Sequence, residues 1–209
     1  PYRSPNPPPS PYTERYFAAL QGRIAYLETS RGCPFSCAFC LSGREDPVRF
    51  FDLEQAKEHL LALARSGTRT VKLVDRTFNC HPGRARELFS FILRARREGE
   101  IPEGVRFHFE VAADLFDAQT LALLCQAPKG LFQLEAGLQS FHRPTLEAVT
   151  RKTDLDRLCA NLQTLLEPGN IHIHIDLIAG LPREGWEIFR DSFDKAYGLS
   201  PHMLQLGFL

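Results

Sequence analysis

At 209 residues the chain is long enough to bury one core and too short for two domains of ordinary size, and its 25 basic and 25 acidic residues cancel, which removes any electrostatic case for nucleic acid or an anionic membrane. No apolar run is long enough to span a bilayer and no charged-then-apolar leader opens the chain, so the expectation is a soluble, cytoplasmic protein. Six cysteines, unevenly clustered, suit a reducing compartment and a metal site better than a disulfide framework.

The first stretch, from Pro1 to Pro11, is proline-rich and cannot enter a helix or a sheet interior, so residues 1–21 are expected to be a linker from an upstream domain. The core is expected over 22–209. A first strand, Ile24 to Glu28, runs into Thr29-Ser30-Arg31-Gly32-Cys33-Pro34-Phe35-Ser36-Cys37-Ala38-Phe39-Cys40. Three cysteines spaced C-x3-C-x2-C must share something. A disulfide leaves one over, and zinc wants a fourth ligand that no neighbour supplies. Three thiolates on an iron–sulfur cube leave one iron open to a group that is not protein.

Downstream, short apolar runs alternate with amphipathic helices, the pattern of βα units and a parallel sheet. Asp52 caps a helix whose inner face is Ala56, Leu60, Leu63 and Ala64. A strand over Thr70 to Val74 leads to Asp75, and a helix over Arg84 to Arg97 follows. The next strand, Val105 to Val111, sets Phe107 and Phe109 on one face and His108 and Glu110 on the other. Asp117 caps a helix. A strand over Leu131 to Ala136 turns at Gly137 into Leu138-Gln139-Ser140, Pro144 opens a short helix, and another runs from Leu155 to Leu165. The fifth strand, Ile171 to Ile178, carries Asp176 near its end. A helix over Trp186 to Tyr197 and a strand over His202 to Leu206 complete six repeats. Right-handed crossovers would curl these into a partial barrel, with chemistry at the carboxyl ends of the strands. Asp75, Glu110, Gln139 and Asp176 all lie there, beside the cysteine loop.

The cysteine spacing, with Phe39 before the last thiol, resembles the radical S-adenosylmethionine (radical SAM) superfamily. The likeness extends to Phe-His-Phe-Glu ending at Glu110, Gly-Leu-Gln-Ser at 137–140, and Asp-Leu-Ile-Ala-Gly-Leu-Pro from Asp176. It implies an α/β fold, a partial (β/α)6 TIM-like barrel of parallel strands. It also implies a [4Fe-4S] cluster on Cys33, Cys37 and Cys40 that cleaves S-adenosyl-L-methionine to a 5′-deoxyadenosyl radical. Phe39, Glu110, Gln139, Arg151 and Asp176 are the implied SAM-binding residues: Glu110 and Asp176 at the ribose, and Arg151, twelve positions after Gln139, at the carboxylate. The pattern is similar to the cobalamin-linked radical SAM proteins and the oxygen-independent coproporphyrinogen oxidase branch. By that resemblance cobalamin, used for methyl transfer or rearrangement, belongs to the full-length protein. The implied partners are an unknown substrate and an electron donor such as flavodoxin or ferredoxin.

The chain departs from the family after strand two, where Asp75-Arg76-Thr77 replaces two glycines and an acid; Asp75 or nearby carbonyls are the candidates for the SAM amino group. Arg76, Asn79, Cys80 and His81 are read as facing substrate. Cys125 and Cys159 are read as small buried residues. His172 and His174 either line the barrel interior or are satisfied core histidines, the second being the simpler expectation. The rival from another class is a noncatalytic zinc- or cluster-stabilised α/β module. A tRNA-modifying enzyme would want a basic face that the composition lacks.

Overall fold

The computed structural model of the protein describes residues 10–42 and 48–209. The proline run over 1–9, read as spacer, lies outside the described residues. In chain order the elements are helix α1 (Glu14–Ala18), strand β1 (Ile24–Leu27), the two-residue strands β2 (Ser30–Arg31) and β3 (Arg49–Phe50), α2 (Leu53–Arg65), β4 (Thr70–Leu73), α3 (Pro82–Arg97), β5 (Arg106–Val111), α4 (Ala118–Cys125), β6 (Phe132–Gln139), α5 (Arg143–Ala148), α6 (Leu155–Leu166), β7 (His172–Ala179), α7 (Trp186–Gly198) and β8 (Met203–Phe208). Six strands form one sheet in the order β1-β4-β5-β6-β7-β8, every neighbouring pair parallel. β1 and β8 are its edges, so the barrel is partial.

Helix starts are set by local chemistry. The side chains of Asp52, Asp117 and Asp154 accept from the backbone N–H of Gln55, Thr120 and Arg157, and each such cap is worth about 1 kcal/mol. His81 caps α3 through Nδ1, 3.2 Å from the N–H of Arg84, and Pro82 stands at the first turn. Each helix then turns an apolar stripe to the sheet: Leu60 and Leu63 from α2, Leu88, Phe89 and Ile92 from α3, Leu158, Leu162 and Leu165 from α6, all buried.

The two faces of the sheet differ in kind. Side chains alternate along a strand, so one face collects Leu27, Val71, Leu73, Phe107, Phe109, Phe132, Leu134, Ile173 and Ile175, all buried under the helices. Phe89 meets Phe109 at 4.9 Å and Phe132 at 5.4 Å between ring centroids, edge to face. The opposite face carries Lys72, His108, Glu110, Glu135, His174 and Asp176, which register across β4, β5, β6 and β7 as neighbours. This face forms the floor of the barrel.

Three local features depart from the expected pattern. β6 does not end at Ala136 but runs through Gly137 to Gln139, with a register shift against β7 and a left-handed Gln139 at φ 72°. Residues 14–18, placed within the linker, form α1, and the adjoining Leu20 is buried in the core while Tyr12 donates from its hydroxyl to the Tyr26 carbonyl at 2.9 Å. Cys125 and Cys159 are half-buried and free rather than enclosed. No helix among the described residues is long and apolar enough to cross a membrane.

Candidate functional site

The loop between β1 and α2 is anchored from both sides. The Asp75 carboxylate, just past β4 and 1% exposed, accepts from the Thr29 N–H at 3.0 Å, the Thr29 hydroxyl at 2.8 Å and the Ser30 hydroxyl at 2.5 Å. Arg84 donates to the Thr29 carbonyl at 3.2 Å, and β2 pairs antiparallel with β3 across the base of the loop. On the far side the Ala38 N–H reaches the Val149 carbonyl at 2.9 Å and the Thr150 hydroxyl reaches the Ser36 carbonyl at 2.5 Å. Asp75 is consumed by these bonds and does not line the cavity, so its expected place at a ligand amino group is replaced by that of a loop anchor.

Held this way, Cys33, Cys37 and Cys40 line one cavity with Phe39, Arg76, Thr77, Glu110, Glu135, Gln139, Arg151 and Asp176. The three cysteines and the five implied SAM-binding residues, Phe39, Glu110, Gln139, Arg151 and Asp176, are therefore brought together, whereas Asp75 is not. Cys33 Sγ lies 3.4 Å from the Thr77 hydroxyl, and the Ser42 N–H donates to Cys40 Sγ at 3.4 Å. Arg151 is fixed by three groups: Nη2 donates to the Gly137 carbonyl at 2.6 Å, Nε to the Thr153 hydroxyl at 3.1 Å, and the guanidinium lies over the Phe35 ring. Its Nη1 stands 3.9 Å from Cys37 Sγ. A Cβ at Gly137 would meet Gln139 Nε2 at 2.5 Å, so the glutamine amide sits in the space this glycine leaves open. Gln139 Oε1 is buried without a partner.

The floor of the cavity is an electrostatic network. Glu135 Oε2 lies 2.8 Å from His108 Nε2 and 3.5 Å from Lys72 Nζ; the hydrogen bond from His108, then the Lys72 charge, pull its carboxyl down to about 2. Glu110, 3.7 Å from Lys72 and 4.0 Å from Arg76, is pushed up by burial and then by Glu135. Asp176 is pushed up to about 7 by burial first, with Glu135 and Glu110 adding to it. Its Oδ1 lies 3.0 Å from His174 Nε2 in a geometry that makes no hydrogen bond, and both atoms are otherwise unpartnered. His174 thus faces the barrel interior and is not a satisfied core histidine.

A carboxyl whose folded value is near 7 rather than 3.8 binds its proton more tightly folded than unfolded. Its contribution to stability is complete in acid and is lost as the pH rises through about 7. In chelator-treated protein Asp176→Asn should therefore melt above the parent at about pH 8, with the gain shrinking towards about pH 5, in thermal unfolding followed by circular dichroism.

Of the loop after β4, only Arg76 and Thr77 line the cavity. Asn79 bonds both ways with the backbone of Ala112, at 2.8 and 2.9 Å, and His81 caps α3. Cys80 is half-buried, its thiol pushed up by burial and then by Cys33 and Asp75. Glu135 and Lys72 were missed by sequence reasoning, although the alternation Gln133-Leu134-Glu135-Ala136 against a buried apolar set carried the signal.

The donor set fits a three-thiolate cluster with a nucleotide-like ligand. The three thiols are free and converge on one cavity, no fourth cysteine among the described residues lines it, and a buried amide oxygen and a side-chain-free glycine face the same space.

The sequence profile of the radical SAM superfamily matches residues 27–196. The chain is 31% identical over 183 residues to the cobalamin-dependent radical SAM methyltransferase TokK of Streptomyces tokunonensis, covering 85% of this chain and 26% of that protein. Among solved structures it is similar to the radical SAM methyltransferase TsrM of Kitasatospora setae, at TM-score 0.77 and 19% identity, covering 93% of this chain and 35% of that one. It is also similar to coproporphyrinogen III oxidase of Escherichia coli, at TM-score 0.65 and 19% identity, covering 94% and 48%. The chain spans about a quarter of the length of the first curated relatives it matches.

Proposed function

The chain belongs to the radical SAM superfamily, and we propose that the cavity above its charged floor is where S-adenosyl-L-methionine is bound and cleaved against a cluster on Cys33, Cys37 and Cys40. The observation that carries this reading is the convergence of the three free thiols with Arg151, Gln139, Glu110 and Asp176 on one cavity. When bound, the [4Fe-4S] cluster supplies the electron that splits the sulfonium and yields a 5′-deoxyadenosyl radical.

The chain's own residues do the rest. Arg151, locked by Gly137 and Thr153 beside the cysteine loop, offers a fixed guanidinium to the SAM carboxylate. Glu110 and Asp176 project from adjoining rows of the floor as acceptors for the ribose hydroxyls, and the unsatisfied amide oxygen of Gln139 awaits a donor. Phe39 lines the wall beside Cys40 and helps exclude water from the reacting carbon.

In the full-length protein the reaction is cobalamin-dependent methyl transfer, with cobalamin on an upstream domain joined through the proline-rich linker and electrons from a flavodoxin or ferredoxin. The likeness to TokK supports this subclass over rearrangement. Incubating reduced, reconstituted protein with SAM tests the core of the reading: 5′-deoxyadenosine should appear only with reductant. Its absence with an intact cluster would overturn the proposal.

Gly137→Ala gives a sharper test of the cavity wall. The new Cβ would push Gln139 aside and come within 3.6 Å of Arg151 Nη2. Because the displaced atoms are ends of flexible side chains, the melting temperature should hardly change. SAM affinity by calorimetry should fall about tenfold, or ~1.4 kcal/mol.

A further inference from the structure

We propose that Glu135, His174 and Asp176 form a binding site for a first-row divalent metal ion on the barrel floor, distinct from the three cysteines. His174 and Asp176 are two residues apart on β7 and so project from the same face, and Glu135 stands directly opposite His174 in the β6–β7 register. One ligand atom from each lies within 4.8 Å of the other two.

A second observation is independent of that clustering. The His174 side chain is only 7% exposed, and its Nε2 is buried with no hydrogen-bond partner, as is Asp176 Oδ1 3.0 Å away. With Nε2 in its unprotonated tautomer and Asp176 ionised, two buried lone pairs face each other and repel unless a cation lies between them. Two ligands of one ion, each about 2.1 Å from it and at right angles, stand about 3.0 Å apart. A substrate ammonium would want its acceptors roughly 4.6 Å apart, so the close pair favours a metal over an amine. His108 and Lys72 hold Glu135 through Oε2, which fixes the carboxylate and leaves its other oxygen free of both. One imidazole nitrogen with two carboxylate oxygens suits Zn²⁺, Mn²⁺, Fe²⁺ or Co²⁺ better than copper(I), which prefers sulfur. Glu135 and Asp176 both line the cavity, so open coordination positions would meet an oxygen donor of the substrate there, while the second Asp176 oxygen stays available to the ribose.

The inference goes beyond the SAM reading, and its test needs neither cluster nor SAM. Mn²⁺, which thiolates bind poorly, is titrated into the iron-free chain and free Mn²⁺ is counted by electron paramagnetic resonance. One ion should bind per chain. His174→Ala and Asp176→Asn, each checked for folding by circular dichroism, should weaken it more than about tenfold. The triple variant Cys33→Ala, Cys37→Ala, Cys40→Ala should bind as the parent does. If the parent binds no Mn²⁺, or both floor variants bind it equally well, the proposal fails, the second result meaning an adventitious ion only. A His174 ring proton shared with Asp176 and unmoved by Mn²⁺ in nitrogen-15 spectra would overturn it too, with a proton filling the gap. Should His174→Ala unfold, the near-isosteric Asp176→Asn carries the test. Failure to form 5′-deoxyadenosine would leave this result untouched.

Discussion

Reconstituted with iron and sulfide, a chain carrying alanine at Cys33, Cys37 or Cys40 will lose its bound iron, from ~4 atoms per chain to near zero. Two thiolates leave two corners of a cube without protein ligands, and no other cysteine among the described residues reaches the cavity to replace the one removed. The loss should not reflect unfolding. Cys33 and Cys40 are half-buried, and the loop is held by Asp75, Val149 and Thr150 rather than by the thiols. Melting of the iron-free Cys33→Ala and Cys40→Ala chains should match the parent, and 5′-deoxyadenosine formation should fall to background in all three. Cys125→Ala and Cys159→Ala, on α4 and α6, are the controls and should keep full iron. Full iron in Cys37→Ala would mean that the cavity is not the cluster site.

Asp75→Ala should be the most destabilising substitution of a polar residue near the site, by about 3 kcal/mol. Hydrogen bonds to a charged acceptor are worth roughly 1.5–3 kcal/mol, and Asp75 accepts three. The two hydroxyls can turn to other acceptors, whereas the Thr29 N–H cannot. Arg84, partly desolvated and with Nε buried unpaired, also loses the larger of its two compensating charges, Asp52 being the other. For a domain of this size the melting temperature should fall by about 6–12 °C. The freed loop should also take up less iron on reconstitution. Asp75→Asn keeps one acceptor and loses the charge, so it should fall between. An Asp75→Ala chain that melts with the parent would remove the anchor role.

Much of this was legible without coordinates. The capping aspartates at 52 and 117 mark real helix starts because a cap acts within three residues of itself. The cysteine loop and the rim residues Glu110, Gln139 and Asp176 were legible for a related reason: parallel βα units fix where strand ends lie. What escaped depends on partners distant in sequence. Asp75 resembled a ligand-binding acid, yet its donors sit 45 and 46 positions earlier and its burial is a tertiary fact. The β2–β3 pair is too short to leave a periodic signature. The left-handed Gln139 follows from a register shift against β7 rather than from its own preferences. The polar floor was half seen: Glu110 and Asp176 looked like strand-end residues, but they belong to an alternating row that includes Lys72, His108, Glu135 and His174.

That row has a consequence for the order of events at the barrel mouth. Ionic groups of both signs packed this closely hold hydration strongly, so a greasy molecule gains little by settling on them. Drying the floor demands an occupant whose own polar atoms replace the displaced solvent one for one. The nucleotide, rich in such atoms, is suited to enter first, and the hydrophobic part of any substrate would then rest on the adenosine and the aromatic wall rather than on protein charge.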